Sequence, residues 1–249
     1  MLTFSDGENN MQNKKWKSFN KLTGKCYNNM IRGEKDGSCW EKAFELLKEI
    51  ILEERRVNPG FASQLEMVDD ATDYEYDIQG WLEDCLSEID MRGEYELLLK
   101  MCDDLLSIFS WPDYTGSDIK FIKYSALHSL GRNDEAVRYC KEWICEEPEN
   151  IVAAAAGVYA FINMKEFNDA EKLVNQFIFD KLECSDENDI MFTAASKLYE
   201  AAGKKKEKKQ IDKAMKEYEE RLEQYFSYAD FDDEDMEFDL DFLDDDLPF

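Results

Sequence analysis

Four segments of this chain resemble one another at intervals of 34–38 residues, and that spacing limits the fold more than any other feature. They are Met91-Arg92-Gly93-Glu94-Tyr95, Leu130-Gly131-Arg132-Asn133-Asp134-Glu135-Ala136, Met164-Lys165-Glu166-Phe167-Asn168-Asp169-Ala170 and Ala202-Gly203-Lys204-Lys205. From Gly93 to Gly131, Lys165 and Gly203 the steps are 38, 34 and 38 residues. Each segment reads as the turn and second-helix start of a helical hairpin. A hairpin of that size cannot bury its own apolar face and must stack on its neighbours. The expected fold is therefore all-α: stacked antiparallel helical hairpins in a solenoid. With four prolines and eleven glycines in 249 residues, a many-turned β fold is disfavoured.

Apolar spacing fills in the helices. Trp40, Ala43, Phe44, Leu47, Ile50 and Ile51 follow three- and four-residue steps that should end before Asn58-Pro59-Gly60. Phe61 to Ala71 reads as a connector with one short helical turn. Asp73 or Asp77 then caps a helix carrying Ile78, Trp81, Leu82, Cys85, Leu86 and Ile89, paired with one carrying Tyr95, Leu98, Cys102, Leu105 and Phe109. The next pair carries Ile119, Ile122 and Ala126, then Ala136, Val137, Cys140 and Trp143, and closes at Glu147-Pro148. A third pair runs from Asn150 to Ile162 and from Asn168 to about Phe179. The fourth runs from Ser185, read as an N-cap, to Ala202 and from Lys204 to about Tyr228. Links this short dictate antiparallel neighbours.

Charge divides the chain into three parts. Residues 1–39 carry seven Lys/Arg against four Asp/Glu and show little periodicity, so they are expected to form a flexible basic N-terminal arm. Residues 230–249 carry eleven acids and no base, an acidic C-terminal tail expected to be disordered. The helical body, residues 40–229, keeps −19 of the total −27. Such a field works against nucleic acid and anionic membrane and favours a basic partner. Seven cysteines without a C-x-x-C pair fit buried thiols in a reducing compartment. The first residues lack the pattern of a signal peptide and no stretch is apolar enough to cross a bilayer, so the expected location is cytoplasmic.

The run Gly131, Ala136, Cys140, Trp143 and Pro148 resembles the tetratricopeptide repeat: a small residue at the turn, Ala five further on, large apolar residues at the next two turns and Pro near the exit. Lys165, Ala170, Val174 and Phe177 repeat it, with Leu182 in place of the Pro. The outer copies depart from it. Leu98 stands where Ala is expected after Gly93, and a lysine-rich insertion after Gly203 displaces Ile211 and Ala214. The resemblance covers roughly residues 73–226, and armadillo- or HEAT-type stacks remain open. It implies a right-handed solenoid whose first helices line a concave groove for a protein or peptide. By register, the groove would receive Glu83, Ser87, Asp90, Phe121, Ser125, His128, Tyr159, Asn163, Thr193 and Lys197. These lack the basic cluster that would clamp a partner's terminal carboxylate.

Signals for chemistry are sparse. His128 is the only histidine, and no nucleophile in a recognisable context accompanies it. Cys140-x4-Cys145 is not a zinc spacing, the tail acids lack the glycine and distal Glu of a calcium loop, and no phosphate loop or dinucleotide fingerprint occurs. No enzyme activity, cofactor or small-molecule substrate is expected. In the tail, Phe238, Phe242, Leu247 and Phe249 alternate with acids, a pattern suited to docking. The sequence thus predicts a non-catalytic interaction scaffold; an acidic mimic or chaperone masking a basic nucleic-acid-binding protein is the alternative.

Overall fold

Amphipathic segments become helices, and several of them stop where one residue leaves the right-handed region, as at Asn58, Phe109 and Ile178. The computed structural model describes residues 6–34 and 36–229, and among them it has eleven α-helices and no strand. In order these are α1 (Asp6–Ile31), α2 (Ser38–Val57), α3 (Glu66–Ala71), α4 (Ile78–Met91), α5 (Tyr95–Ile108), α6 (Ser117–Ser129), α7 (Asn133–Glu146), α8 (Ile151–Asn163), α9 (Phe167–Phe177), α10 (Asp189–Ala201) and α11 (Lys205–Ala229). The chain forms two compact units that divide in sequence between Ala160 and Phe161. In the first, α1 packs on α2, α2 and α3 on α4, α4 on α5, α5 on α6, and α6 on α7. In the second, α9 packs on α10 and α10 on α11.

The four segments read from sequence form the same turn. Gly93, Gly131, Lys165 and Gly203 all take positive φ, between 61° and 72°. In each, that residue's N–H bonds the carbonyl three back (Gly93 to Asp90, Gly131 to His128, Lys165 to Ile162, Gly203 to Glu200). The next N–H reaches five back, to Ile89, Leu127, Phe161 and Tyr199 respectively. This is the Schellman closure, which satisfies two otherwise orphaned carbonyls at the helix end. Three of the four turns use Gly because a left-handed residue with a Cβ is strained. Lys165 bears that strain, so Lys165→Gly should stabilise the protein by about 0.5–1 kcal/mol, net of glycine's greater freedom when unfolded. A Cβ at Gly131 would meet nothing within 4 Å, so Gly131→Ala should cost about 1 kcal/mol from backbone strain alone. Urea melts of both variants check the pair of opposite signs.

A fifth such turn lies outside the periodic set. Gly33 has φ 66°, its N–H bonds Met30 O, and Glu34 N–H bonds Asn29 O. It joins α1 to α2, so the expectation of a flexible arm over residues 1–39 is corrected: residues 6–31 are helical. Trp16, Phe19 and Cys26 are buried with Thr23 and Asn29, on a stripe at three- and four-residue steps. Two polar members of that stripe hide it from a search for apolar periodicity. Lys14, Lys17, Lys21 and Lys25, also three and four apart, occupy exposed positions. Phe19 meets Trp81 edge-on at 5.0 Å, Trp81 stacks on Trp40 at 6.1 Å, and Tyr27 meets Trp40 edge-on at 5.6 Å. One aromatic cluster thus ties α1, α2 and α4 together.

Two capping expectations also change. Asp77 precedes α4 but makes no side-chain cap; Asp69, from α3, accepts the N–H groups of Ile78 and Gln79 at 2.6 and 3.0 Å. The α4 start is capped from eight or more residues upstream, a tertiary substitute for the local N-cap. Ser185 is not an N-cap: α10 starts at Asp189, and Asn188 takes the cap position while its side chain accepts the Ser185 N–H.

Asn150 caps α8, accepting from Val152 and Ala153 and donating to Ser117 Oγ at 2.8 Å, which ties the start of α8 to α6. Asn150 also donates to Glu147, as do Lys120 and Trp143 Nε1. Burial works to raise the Glu147 carboxyl, but hydrogen bonds from Lys120, Asn150 and Trp143 hold it below the usual carboxylate range. A group depressed on folding stabilises fully above its unfolded pKa, about 4.3, and loses that contribution as pH falls through the folded value. Glu147→Gln should therefore lower the melting temperature near neutrality. The gap to the unsubstituted protein should close below about pH 4, as melting curves across that range would show.

Six of the seven cysteines are buried and Cys145 is exposed, all as free thiols. Burial pushes Cys85, Cys102 and Cys140 up to about 12, so they act as small apolar fillers rather than nucleophiles. Ala136, Ala170 and the run from Ala153 to Ala156 are buried, small side chains that fill tight parts of the core.

Candidate interaction groove

A groove of about 590 Å³ opens in the first unit, and the chain builds it from three directions. One wall is α4, which contributes Gln79, Leu82, Glu83, Leu86, Ser87 and Asp90 at helical spacing. The facing wall is α6, with Asp118, Ile119, Phe121, Ile122 and Ser125. The end is closed by Gln64, Leu65 and Glu66 of the connector and by Trp111 and Thr115 after α5. Leu82, Leu86 and Leu105 form a buried floor, whereas Trp111, Ile119, Phe121 and Ile122 are only partly covered.

Position depends on Arg55. Its guanidinium donates to the carbonyls of Phe61, Ala62 and Ile108, and its Cζ lies 5.3 Å from the Phe109 ring centroid. One side chain therefore ties α2 to the connector and to the C-terminal end of α5, where carbonyl dipoles favour a cation. Ser110 N–H bonds Ser63 O at 2.8 Å and completes the link. Gly116 faces Trp111 so closely that a Cβ would sit 2.9 Å from Trp111 Cγ, which fixes the indole against the groove.

The electrostatics of the lining are one-sided. Glu66, Glu83, Asp90 and Asp118 all line it and are exposed, and among the described residues no Lys, Arg or His does. None of these four carboxylates takes part in an ion pair among the described residues. Cations of this unit pair with carboxylates outside the groove: Lys15 bridges Glu49 and Glu53, Lys48 bridges Glu45 and Asp104, and Lys123 meets Asp103.

Of the residues the resemblance placed in a groove, Glu83, Ser87, Asp90, Phe121 and Ser125 do line this one. His128 does not: it is exposed near the end of α6, with Nδ1 3.0 Å from Asn133 Oδ1. Tyr159 is half-buried on α8 and meets Phe121 edge-on at 6.3 Å. Asn163, Thr193 and Lys197 are exposed in the second unit. In that unit two lysines of the run pair with acids, Lys204 with Glu171 and Lys208 with Asp212, which offsets positive charge at a helix start. Phe238, Phe242, Leu247 and Phe249 lie outside the described residues. Sequence reasoning missed Gln64, Leu65, Glu66, Trp111, Asp118 and Ile119 as groove residues. Only the helical phase of Asp118 and Ile119 with Phe121 and Ser125 carried a signal.

Among the described residues no group of three His, Cys, Asp or Glu side chains is placed to hold a metal ion. No described helix is long and apolar enough to cross a membrane. No family model, curated protein or solved structure matches this chain.

Proposed function

We propose that this chain is a non-catalytic interaction scaffold, a tetratricopeptide-like stack of hairpins that receives a protein or peptide between α4 and α6. The observation that carries this reading is the groove itself, in which partly exposed Trp111, Phe121, Ile119 and Ile122 sit above a buried leucine floor. Large apolar groups gathered in a concavity are what a partner's anchor residues seek. The charged groups of the lining are all exposed to solvent and none is buried as a catalytic or ligand-orienting group would be, which suits a chain better than a small-molecule substrate. Recurrence of one turn at Gly33, Gly93, Gly131, Lys165 and Gly203 supports stacking of like hairpins. A cytoplasmic setting accords with seven free thiols, and a net charge of −27 works against direct nucleic-acid binding.

The test is a comparison of captured partners. Full-length protein, an Ile122→Glu variant shown by circular dichroism to be folded, and a truncation after residue 229 would be exposed to the same extract at low and high salt. Partners held at high salt and lost only with Ile122→Glu support the groove. Partners lost with the truncation or with salt, and indifferent to Ile122→Glu, would replace it by the second reading. That reading is an acidic mimic masking a basic nucleic-acid-binding protein, and the acidic excess favours it.

A further inference from the structure

We infer that the occupant of the α4–α6 groove is a basic amphipathic helix, whose apolar face covers Trp111 and Ile122 and whose Lys or Arg side chains meet the rim carboxylates. The inference rests on the groove being a protein-binding site and adds the chemistry of what enters. Charge gives the sign. Glu66, Glu83, Asp90 and Asp118 line the groove at exposed positions, and among the described residues none of them is in an ion pair and no Lys, Arg or His is in the lining. Bringing an acidic or neutral chain over them would strip water from unmatched carboxylates, whereas a cation replaces that water with a charge-assisted hydrogen bond.

Geometry gives the conformation. Both long walls are helix faces, whose backbone N–H and C=O groups are already spent within α4 and α6, so there is no strand edge for an extended peptide to pair with. A helix brings its own backbone hydrogen bonds and needs only side-chain contacts. Glu83 and Asp90 are seven residues apart on α4, a rise of about 10 Å, which is the spacing of cations at i and i+7 on a helical partner. Between them, Leu86 lies in the floor, so the pattern asked of the partner is cation, large apolar residue, cation.

The experiment uses the full chain and three synthetic helical peptides of about four turns, each with leucines on one face. The other face is lysine, glutamine or glutamate. Trp111 reports binding: it is the one tryptophan of five that is not buried, and Trp111→Phe supplies the blank. The expected result is that the Leu/Lys peptide changes Trp111 emission with one-to-one stoichiometry and binds about tenfold more tightly than Leu/Gln, with Leu/Glu weakest. Glu83→Gln/Asp90→Asn should remove most of that tenfold advantage, as should ~0.5 M salt. Glu146→Gln/Glu149→Gln, which alters exposed carboxylates outside the groove, should leave it intact. If Leu/Gln and Leu/Lys bind equally through Trp111, the groove stands as a binding site and the basic-partner inference falls. If the two double variants weaken Leu/Lys alike, the attraction is the general acidic field and the inference also falls. If no peptide alters Trp111 emission, the groove reading falls with it.

Discussion

Phe19→Ala is expected to destabilise the protein by about 3–5 kcal/mol, the cost of emptying a fully buried aromatic site. Phe19 has no exposed surface and contacts Trp81, which stacks on Trp40, so its removal opens a cavity where α1 meets α4 rather than at a frayed end. Trp40 and Trp81 both bury an indole N–H that has no hydrogen-bond partner among the described residues, a cost the surrounding aromatic packing offsets. Loosening the cluster would expose both. The measurement is a urea melt followed by tryptophan emission and by far-ultraviolet circular dichroism. A flexible-arm reading of residues 1–39 predicts a change within about 0.5 kcal/mol, as for a surface substitution. The two readings therefore differ several-fold, and Lys17→Ala on an exposed position of α1 should itself fall within that smaller range.

Arg55→Met is expected to cost about 2–4 kcal/mol and to disorganise the groove. The guanidinium serves three carbonyls from two separate segments, and hydrogen bonds from a charged donor are among the stronger ones. Methionine keeps much of the stem's apolar contact and removes only the donors, so the loss reports the hydrogen bonds. Arg55→Lys should recover little, because a single ammonium cannot span carbonyls on the connector and on α5 together. Two readouts separate local from global effects. Amide exchange should accelerate in residues 58–66 before it does in α10, and Trp111 should become more accessible to a neutral quencher. Unchanged Trp111 quenching in Arg55→Met would show that the groove wall does not depend on this anchor.

The helical body was legible because its signals are local. The apolar spacing from Trp40 to Ile51, the small residues Ala136 and Ala170, and the turn glycines each reflect a single helix or a single turn. Glu83, Ser87 and Asp90 could be placed on one face for the same reason, since helical phase is a property of neighbouring residues. What escaped is what two distant segments do to each other. Phe19 is apolar in any reading, but Thr23 and Asn29 count as core only once α1 is seen against α2. The cap on α4 comes from Asp69 because the connector folds back, and no residue adjacent to Ile78 announces it.

By itself, then, the sequence determined the helices from α2 onward, four of their turns and the acidic balance, all of which follow from local backbone energetics and composition. Tertiary structure alone decided that α1 belongs to the core, that Arg55 anchors three carbonyls, and that four unmatched carboxylates share one groove with Trp111. The physical reason is range. Helix phase and turn strain act over a few residues of chain. Burial, desolvation and charge pairing depend on which side chains meet in space, and that is set only when the chain has folded.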